Sequence, residues 1–148
     1  MSTLVWNQGI AGGWFVGTNW TPQGIPTTGD IVVIQSGTPS IPSGSAPIVG
    51  EQIVLGGVGP ATLIATNATF AGTSGLPELN ATLTVVGGEP TSAAPSAVLR
   101  AVGRTSFDGQ IYVNALNGGL TIEAVSDGIT PGDFTLINTD LKATVLVN

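Results

Sequence analysis

The sequence contains no histidine and no cysteine among its 148 residues. These two absences exclude the Ser–His triad, the thiolate nucleophile, the disulfide framework and most zinc or copper sites. Only carboxylate chemistry would remain for an enzyme, and most of the nine acidic residues adjoin glycine or proline, as in turns. We therefore expect a protein that is not an enzyme, with no catalytic residue, no metal ligand and no cofactor.

Basic residues are equally scarce, since Arg100, Arg104 and Lys142 are the whole set and the net charge is −6. No cationic groove for nucleic acid can be built from three such residues, and an anionic membrane surface is disfavoured for the same reason. The most apolar run, residues 53–65, is interrupted by glycine and proline and is too short to span a bilayer. We expect neither nucleic-acid binding nor membrane insertion.

Long helical segments are also missing, because 22 glycines and 10 prolines are scattered along the chain. The runs between these breakers are short and rich in β-branched residues, which is typical of strands. Residues 36–47 and 87–95 are expected to be long loops, the first of them possible as an edge strand. The predicted strands include 31–34, 53–55, 63–64, 83–86, 98–99, 111–113, 120–122 and the alternating segment 133–148.

Imperfect self-similarity decides between the all-β architectures. Ala61-Thr62-Leu63 recurs twenty residues later as Ala81-Thr82-Leu83 and more loosely as residues 97–99. Spacings near twenty lie at the short end of solenoid repeats, and low charge suits a fold in which like residues stack. We predict a right-handed parallel β-helix with an N-terminal aromatic cap, and a β-sandwich or jelly roll remains the alternative.

Two kinds of polar residue resemble site residues. Asp127-Gly128 and Gly132-Asp133 could offer hard oxygens to calcium, but their spacing matches neither the EF-hand nor the calcium β-roll. Asx-turns are the favoured interpretation for these acids and for Asp30, and a turn position is favoured for Asn67.

The three tryptophans, Trp6, Trp14 and Trp20, all lie near the beginning of the chain. Exposed indoles would form a platform for sugars, whereas buried indoles would form a plug that closes one end of the fold. Large aromatic residues are mostly buried, so packing is the favoured prediction. Ligand binding through Trp6, Trp14 or Trp20 remains the alternative.

Residues 12–34 carry Trp14, Asn19-Trp20, Pro26, Gly29-Asp30 and the apolar run 31–34. This arrangement resembles the opening of the repeat array in large secreted bacterial proteins, including autotransporter-type adhesins with parallel β-helix passengers. The resemblance implies an N-terminal cap over the first coil. We accordingly expect one domain, 1–148, with the cap and the first regular strand in about 1–35 and β coils in 36–148.

The function expected from these features is a non-catalytic structural or adhesive module of a secreted or cell-surface bacterial protein. No Lys/Arg-led apolar segment opens the chain, so the export signal is expected outside it. The expected partners are like chains, as a homo-oligomer or by lateral association, or a surface glycan if the protein is instead a carbohydrate-binding module. A polysaccharide lyase or hydrolase is the least favoured alternative.

Overall fold

The computed structural model describes residues 2–27, 30–43, 50–56, 59–71, 81–86, 97–114 and 120–144. Across these ranges the regular secondary structure is β-strand apart from one 3-10 turn at Gly17–Asn19, so the all-β class is confirmed. No helix in the described part of the chain is long and apolar enough to cross a membrane. The strands are β1 (Thr3–Trp6), β2 (Ala11–Gly13), β3 (Trp20–Thr21), β4 (Asp30–Ile34), β5 (Thr38–Ile41), β6 (Gly50–Leu55), β7 (Ala61–Thr66), β8 (Thr69–Ala71), β9 (Ala81–Val86), β10 (Ala97–Val102), β11 (Arg104–Asn114), β12 (Leu120–Val125) and β13 (Asp133–Thr144).

The strands form two sheets. The large sheet has the order β3-β1-β4-β6-β9-β11-β13, with β8 also paired to β11, and the small sheet has the order β2-β5-β7-β10-β12. All pairs are parallel except β1 with β3. From β4 to β7 and again from β9 to β13, consecutive strands alternate between the two sheets. Parallel neighbours need a crossover connection, and each crossover here includes a strand of the opposite sheet.

Alternating side chains of β1, β4, β5, β7 and β10 are buried and form much of the core. In the large sheet Leu4 and Ile53 flank Val32 in register, and all three are buried. In the small sheet Leu63 aligns with Leu99, and both are buried. Like residues therefore stack on like across neighbouring strands, which packs the space between the sheets with aliphatic columns.

The repeat that suggested this arrangement has a different meaning in the structure. Ala61 and Ala97 are register partners in the small sheet, so the looser similarity marks equivalent positions. Ala81, twenty residues after Ala61, lies in the large sheet. The twenty-residue spacing therefore joins positions that are not equivalent, because the segment between two neighbours of one sheet includes a strand of the other.

Most predicted strands are present, but the beginning of the chain is more regular than expected. Residues 31–34 form most of β4, yet β1 already pairs with β4 in parallel, so 31–34 are not the first regular strand. The alternating burial of Thr3–Trp6 explains β1, since Leu4 and Trp6 face the core. Of the predicted segment 133–148, residues 133–144 form β13 and 145–148 lie outside the described residues.

The proline-rich segment 36–47 is not simply a loop, since it contributes β5 to the interior of the small sheet. The Thr38 amide donates to Ile10 O of the chain preceding β2, and Trp14 N donates to Ser40 O. Pro39 lies between these positions, on the side of the ladder that faces β7. Paired positions there are limited to the bridge Gly37–Ala61 and to Ser40 and Ile41, because proline offers no amide to that side. The predicted loop at 87–95 lies outside the described residues.

Candidate functional site

Three side chains singled out by the sequence lie together at the end of the fold where the chain begins. Trp6 ends β1, Trp14 follows β2 and Trp20 opens β3. The Trp20 ring makes edge-to-face contacts with Trp6, at 4.9 Å between centroids and 79° between planes, and with Trp14, at 5.0 Å and 78°. We call these three residues the tryptophan cluster.

Backbone carbonyls fix the orientation of two of the indoles. Trp20 Nε1 donates to Trp14 O at 2.8 Å, and Trp6 Nε1 donates to Ile10 O at 3.1 Å. Trp6 and Trp20 are also register partners in the antiparallel β1–β3 pair. The cluster is therefore fixed by hydrogen bonds as well as by packing, as buried tryptophans usually are.

Trp14 differs from the other two indoles. Its Nε1 is buried and has no hydrogen-bond partner among the described residues. An unpartnered buried N–H carries a desolvation cost of about 1–3 kcal/mol. The packing of its ring against Trp20 and the core offsets that cost, and Trp14 is the position of the cluster where a conservative ring replacement is expected to be best tolerated.

The backbone of Gly37 packs against the tryptophan cluster at Trp6. Its φ is +99°, and a Cβ there would lie 2.6 Å from Ile10 O and 3.0 Å from Trp6 Nε1. The hydrogen bond between those two atoms thus runs directly against the Gly37 backbone, which leaves no room for a side chain. Sequence reasoning did not single out Gly37, because nothing in the order of residues shows which glycine faces an indole.

The placement of the cluster bears on how it can act. Trp6, Trp14 and Trp20 each have a relative exposure of 0%. A sugar-stacking platform needs open indole faces, and this arrangement presents none, so the geometry is that of packing. The exposed aromatic side chain beside the cluster is Phe15, which is 39% exposed.

Asp30, the first residue of β4, joins that strand to the residue just before β1. Its carboxylate accepts hydrogen bonds from Ser2 N at 2.9 Å, from Thr27 N at 2.9 Å and from the Thr27 hydroxyl at 2.8 Å. Burial disfavours the charged form, but these donors outweigh it, so the pKa of Asp30 is lowered below its ordinary value. Asp30 is therefore a strand clasp that bonds to residues preceding it, and not the Asx-turn that the sequence favoured, in which the carboxylate would accept from the backbone two residues further on.

Asn67 occupies the turn after β7 with φ at +45°. Its Oδ1 accepts from Arg104 N at 2.8 Å, and its Nδ2 donates to Ser43 Oγ at 3.1 Å and to Asp127 Oδ2 at 3.2 Å. The same amide lies across Gly103, where a Cβ would overlap Asn67 Oδ1. One asparagine side chain therefore bridges several turns at the same end of successive strands, which confirms its prediction as a turn residue.

Of the two acids considered for calcium, Asp127 lies in a turn, whereas Asp133 is the first residue of β13. Asp127 Oδ1 accepts from the amides of Ile129 and Thr130, which lower the Asp127 pKa, the Thr130 amide most. This is the expected Asx-turn. In the described ranges, no group of three or more Asp, Glu, His or Cys residues could hold a metal ion.

Five uncharged side chains lie together on the outside of β1, β4 and β6 in the large sheet. Val5, Val33 and Val54 are register partners on β1, β4 and β6, and each is partly exposed. Thr3 and Ile31 extend the same outer side, since they alternate with the buried Leu4 and Val32. We call these five residues the lateral face.

Comparisons with protein-family models, with curated proteins and with solved structures find no match to this chain. The similarity to autotransporter-type adhesins therefore remains the expectation drawn from residues 12–34. Functional conclusions must come from the geometry of the tryptophan cluster, the stacked turns and the lateral face.

Proposed function

We propose that the protein is a non-catalytic structural module, a parallel β-solenoid whose tryptophan cluster closes its first end. The observation that carries this proposal is the alternation of strands between two sheets. Apart from β3 and β8, each sheet adds its strands in chain order by parallel pairing. A right-handed path is proposed because crossovers between parallel strands are almost always right-handed. The antiparallel sandwich alternative fits less well, since β1–β3 is the one antiparallel pair among the described strands.

The stacked columns support a scaffold and not a pocket-bearing domain. Inward positions such as Val32, Ile53 and Leu99 are filled by aliphatic side chains and are buried. Stability in such a fold comes from contacts between neighbouring coils, so an uncovered first coil would expose its apolar cross-section. The tryptophan cluster supplies that cover with three fully buried indoles.

Self-association through the lateral face is the proposed mode of action. Its five residues carry no charge, and Val5, Val33 and Val54 form a straight, partly exposed column. Partly exposed β-branched side chains on adjacent strands make a flat surface, and a second copy can cover it without desolvating a charge. Such lateral contacts suit an adhesive or structural protein of a bacterial surface. The hydroxyl-rich, charge-poor composition of the chain suits the same function.

Sedimentation velocity over a wide concentration range tests this function. The wild-type chain is expected to associate reversibly, and Val33→Lys is expected to raise the dissociation constant at least fivefold by placing a charge in the middle of the column. Thr62→Lys is the matched control, since Thr62 is a partly exposed strand residue of the small sheet. A wild-type chain that stays monomeric at its highest soluble concentration, or equal effects of the two variants, would contradict self-association through this face.

A further inference from the structure

The turn after β12 contains an aspartate followed by a glycine, Asp127-Gly128, a pair that is prone to spontaneous backbone rearrangement. The Gly128 nitrogen attacks Cγ of Asp127 when that carboxyl group is protonated. The N–Cγ bond forms, the Cγ–O bond to the hydroxyl breaks, and the hydroxyl leaves as water with the amide proton. A second water then opens the cyclic imide at either carbonyl, which restores aspartate or gives isoaspartate.

The Gly128 side of this bond is unshielded within the described part of the chain. Gly128 has φ at +95°, and apart from its two chain neighbours no described atom lies within 4 Å of the position that a Cβ would occupy. Its amide donates to the Ser126 hydroxyl at 3.0 Å and is not part of a strand ladder. Bulk on the residue after aspartate slows the attack, and glycine supplies none.

The Asp127 side chain, in contrast, is held by three donors. Oδ1 accepts from the amides of Ile129, at 2.8 Å, and Thr130, and Oδ2 accepts from Asn67 Nδ2 at 3.2 Å. These donors favour the ionised form, so the pKa of Asp127 is lowered, the Thr130 amide being the largest cause. An ionised carboxylate has no hydroxyl to release as water, and a fixed one cannot turn its Cγ toward the attacking nitrogen.

Two of these donors belong to the same turn, whereas Asn67 lies 60 residues earlier, in the turn after β7. Asn67 is itself fixed, because its Oδ1 accepts from Arg104 N at 2.8 Å and its side chain lies against Gly103. The contact between the two turns is therefore the part of this arrangement that depends on the stacking of the fold.

We propose that Asp127-Gly128 is a site of spontaneous isoaspartate formation, and that the Asn67 side chain suppresses this modification by bonding to the Asp127 carboxylate. Isoaspartate adds one backbone atom to the turn between β12 and β13 and moves the carboxylate off the side chain that Asn67 contacts. The modification would therefore separate turns that the fold holds together. The inference stands apart from self-association through the lateral face.

Asn67→Asp is the test variant. It keeps the acceptor for Arg104 N, but it replaces the donor to Asp127 by a second carboxylate oxygen, and the added negative charge favours protonation of Asp127. Ser43→Ala is the matched control, because it removes the other acceptor of Asn67 Nδ2, at 3.1 Å, and leaves the contact with Asp127 in place. Adding Gly128→Ala to Asn67→Asp identifies the reacting bond, since the new Cβ hinders the attack.

Site-resolved mass spectrometry measures the modification. Intact chains are incubated well below Tm at about pH 5, just above the ordinary pKa of aspartate, and in parallel in urea that unfolds them. Trypsin releases residues 105–142 as one peptide, and electron-transfer fragmentation distinguishes isoaspartate from aspartate at each position in it. Asp108-Gly109 is the internal reference, because it lies within β11 and pairs with β13 and β9.

In the folded wild-type chain, isoaspartate at position 127 is expected to form about tenfold or more slowly than in urea, since three contacts act together. Asn67→Asp is expected to form it about two- to fivefold faster than the folded wild type, the range of one exposed polar contact, with no change at position 108. Ser43→Ala should match the wild type, and the added Gly128→Ala should abolish the gain.

If Asn67→Asp does not fold by circular dichroism, Asn67→Gly replaces it with the same expectation. Equal rates at position 127 in the folded and the unfolded wild-type chain would overturn the proposal. An Asn67 variant no faster than Ser43→Ala would also overturn it, as would a gain of the same size at position 108, which would indicate general opening of the fold.

Discussion

Replacing Trp20 by alanine tests whether the tryptophan cluster closes the fold. Trp20 is fully buried, contacts both other indoles edge to face and donates to Trp14 O. Truncation of a buried large aromatic residue costs about 3–5 kcal/mol. Two edge-to-face contacts of about 0.5–1.5 kcal/mol each and a lost hydrogen bond of about 1 kcal/mol place Trp20→Ala in the upper part of that range.

The expected loss in the free energy of unfolding is therefore about 4–5 kcal/mol. In a chain of this size it corresponds to a fall in Tm of roughly 8–20 °C. Urea unfolding followed by far-UV circular dichroism measures the free energy, and a thermal scan measures Tm. Hydrogen exchange of β1 and β4 is expected to accelerate most, since the cluster covers that end.

Phe15→Ala is the matched control, because Phe15 is an aromatic residue of the same segment that is 39% exposed. It is expected to change the free energy of unfolding by less than about 1 kcal/mol. The reasoning is refuted if Trp20→Ala costs no more than Phe15→Ala. A Trp20→Ala chain of unchanged stability that loses binding to a glycan would instead support the ligand platform.

Three further predictions concern the clasp and the stacked turns. Because the folded-state pKa of Asp30 is lowered, its contribution to stability is present above the unfolded pKa of about 4 and is lost as the pH falls through the folded value. The urea midpoint of the wild-type chain should therefore decrease below about pH 4, and Asp30→Asn should make that decrease less steep. An equally steep decrease in the variant would contradict the clasp. Gly103→Ala should lower the free energy of unfolding by more than about 1 kcal/mol, through the positive φ of Gly103 and the overlap of the new Cβ with Asn67. The loss should be clearly larger than for Gly128→Ala, where a Cβ meets nothing within 4 Å. Equal decreases in Tm for the two variants would contradict the close approach of Asn67 to Gly103. Asn67→Gly keeps the left-handed turn but removes the side-chain hydrogen bonds, so the free energy of unfolding measured in urea should fall by about 1–3 kcal/mol. An unchanged free energy of unfolding would show that this side chain does not hold the turns together.

Local patterns in the sequence were sufficient for the strands but not for their partners. Residues 31–34 and 53–55 were recognisable as strands because β-branched runs between breakers have few other conformations. The prediction of a loop or edge strand around Pro39 was wrong, since proline usually occurs in such positions. Only the partner strands show that the hydrogen-bond ladder tolerates a proline there. The pairing of Ala61 with Ala97 rather than with Ala81 depends on which sheet each strand joins, and that information is non-local.

The candidate sites divide in the same way. Burial of the three tryptophans could be predicted from their size and apolar neighbours. The Asx-turn at Asp127 could be predicted from its turn-forming neighbours. The contact of Gly37 with the Trp6 hydrogen bond could not be predicted, because it joins residues from different strands. The lateral face depends on register and on exposure, which composition does not determine.

The central claim is that neighbouring strands within each sheet are parallel, and that the chain passes through a strand of the other sheet between one neighbour and the next. The chain has no cysteine, so engineered cysteine pairs report on it without background. Thr62 and Val98 are register partners on adjacent strands, within the spacing that a disulfide can bridge, whereas Thr82 lies in the other sheet. Mild oxidation is expected to cross-link Thr62→Cys with Val98→Cys in the folded monomer and to leave Thr62→Cys with Thr82→Cys reduced. Cross-linking of the 62/82 pair and not of the 62/98 pair would contradict the account.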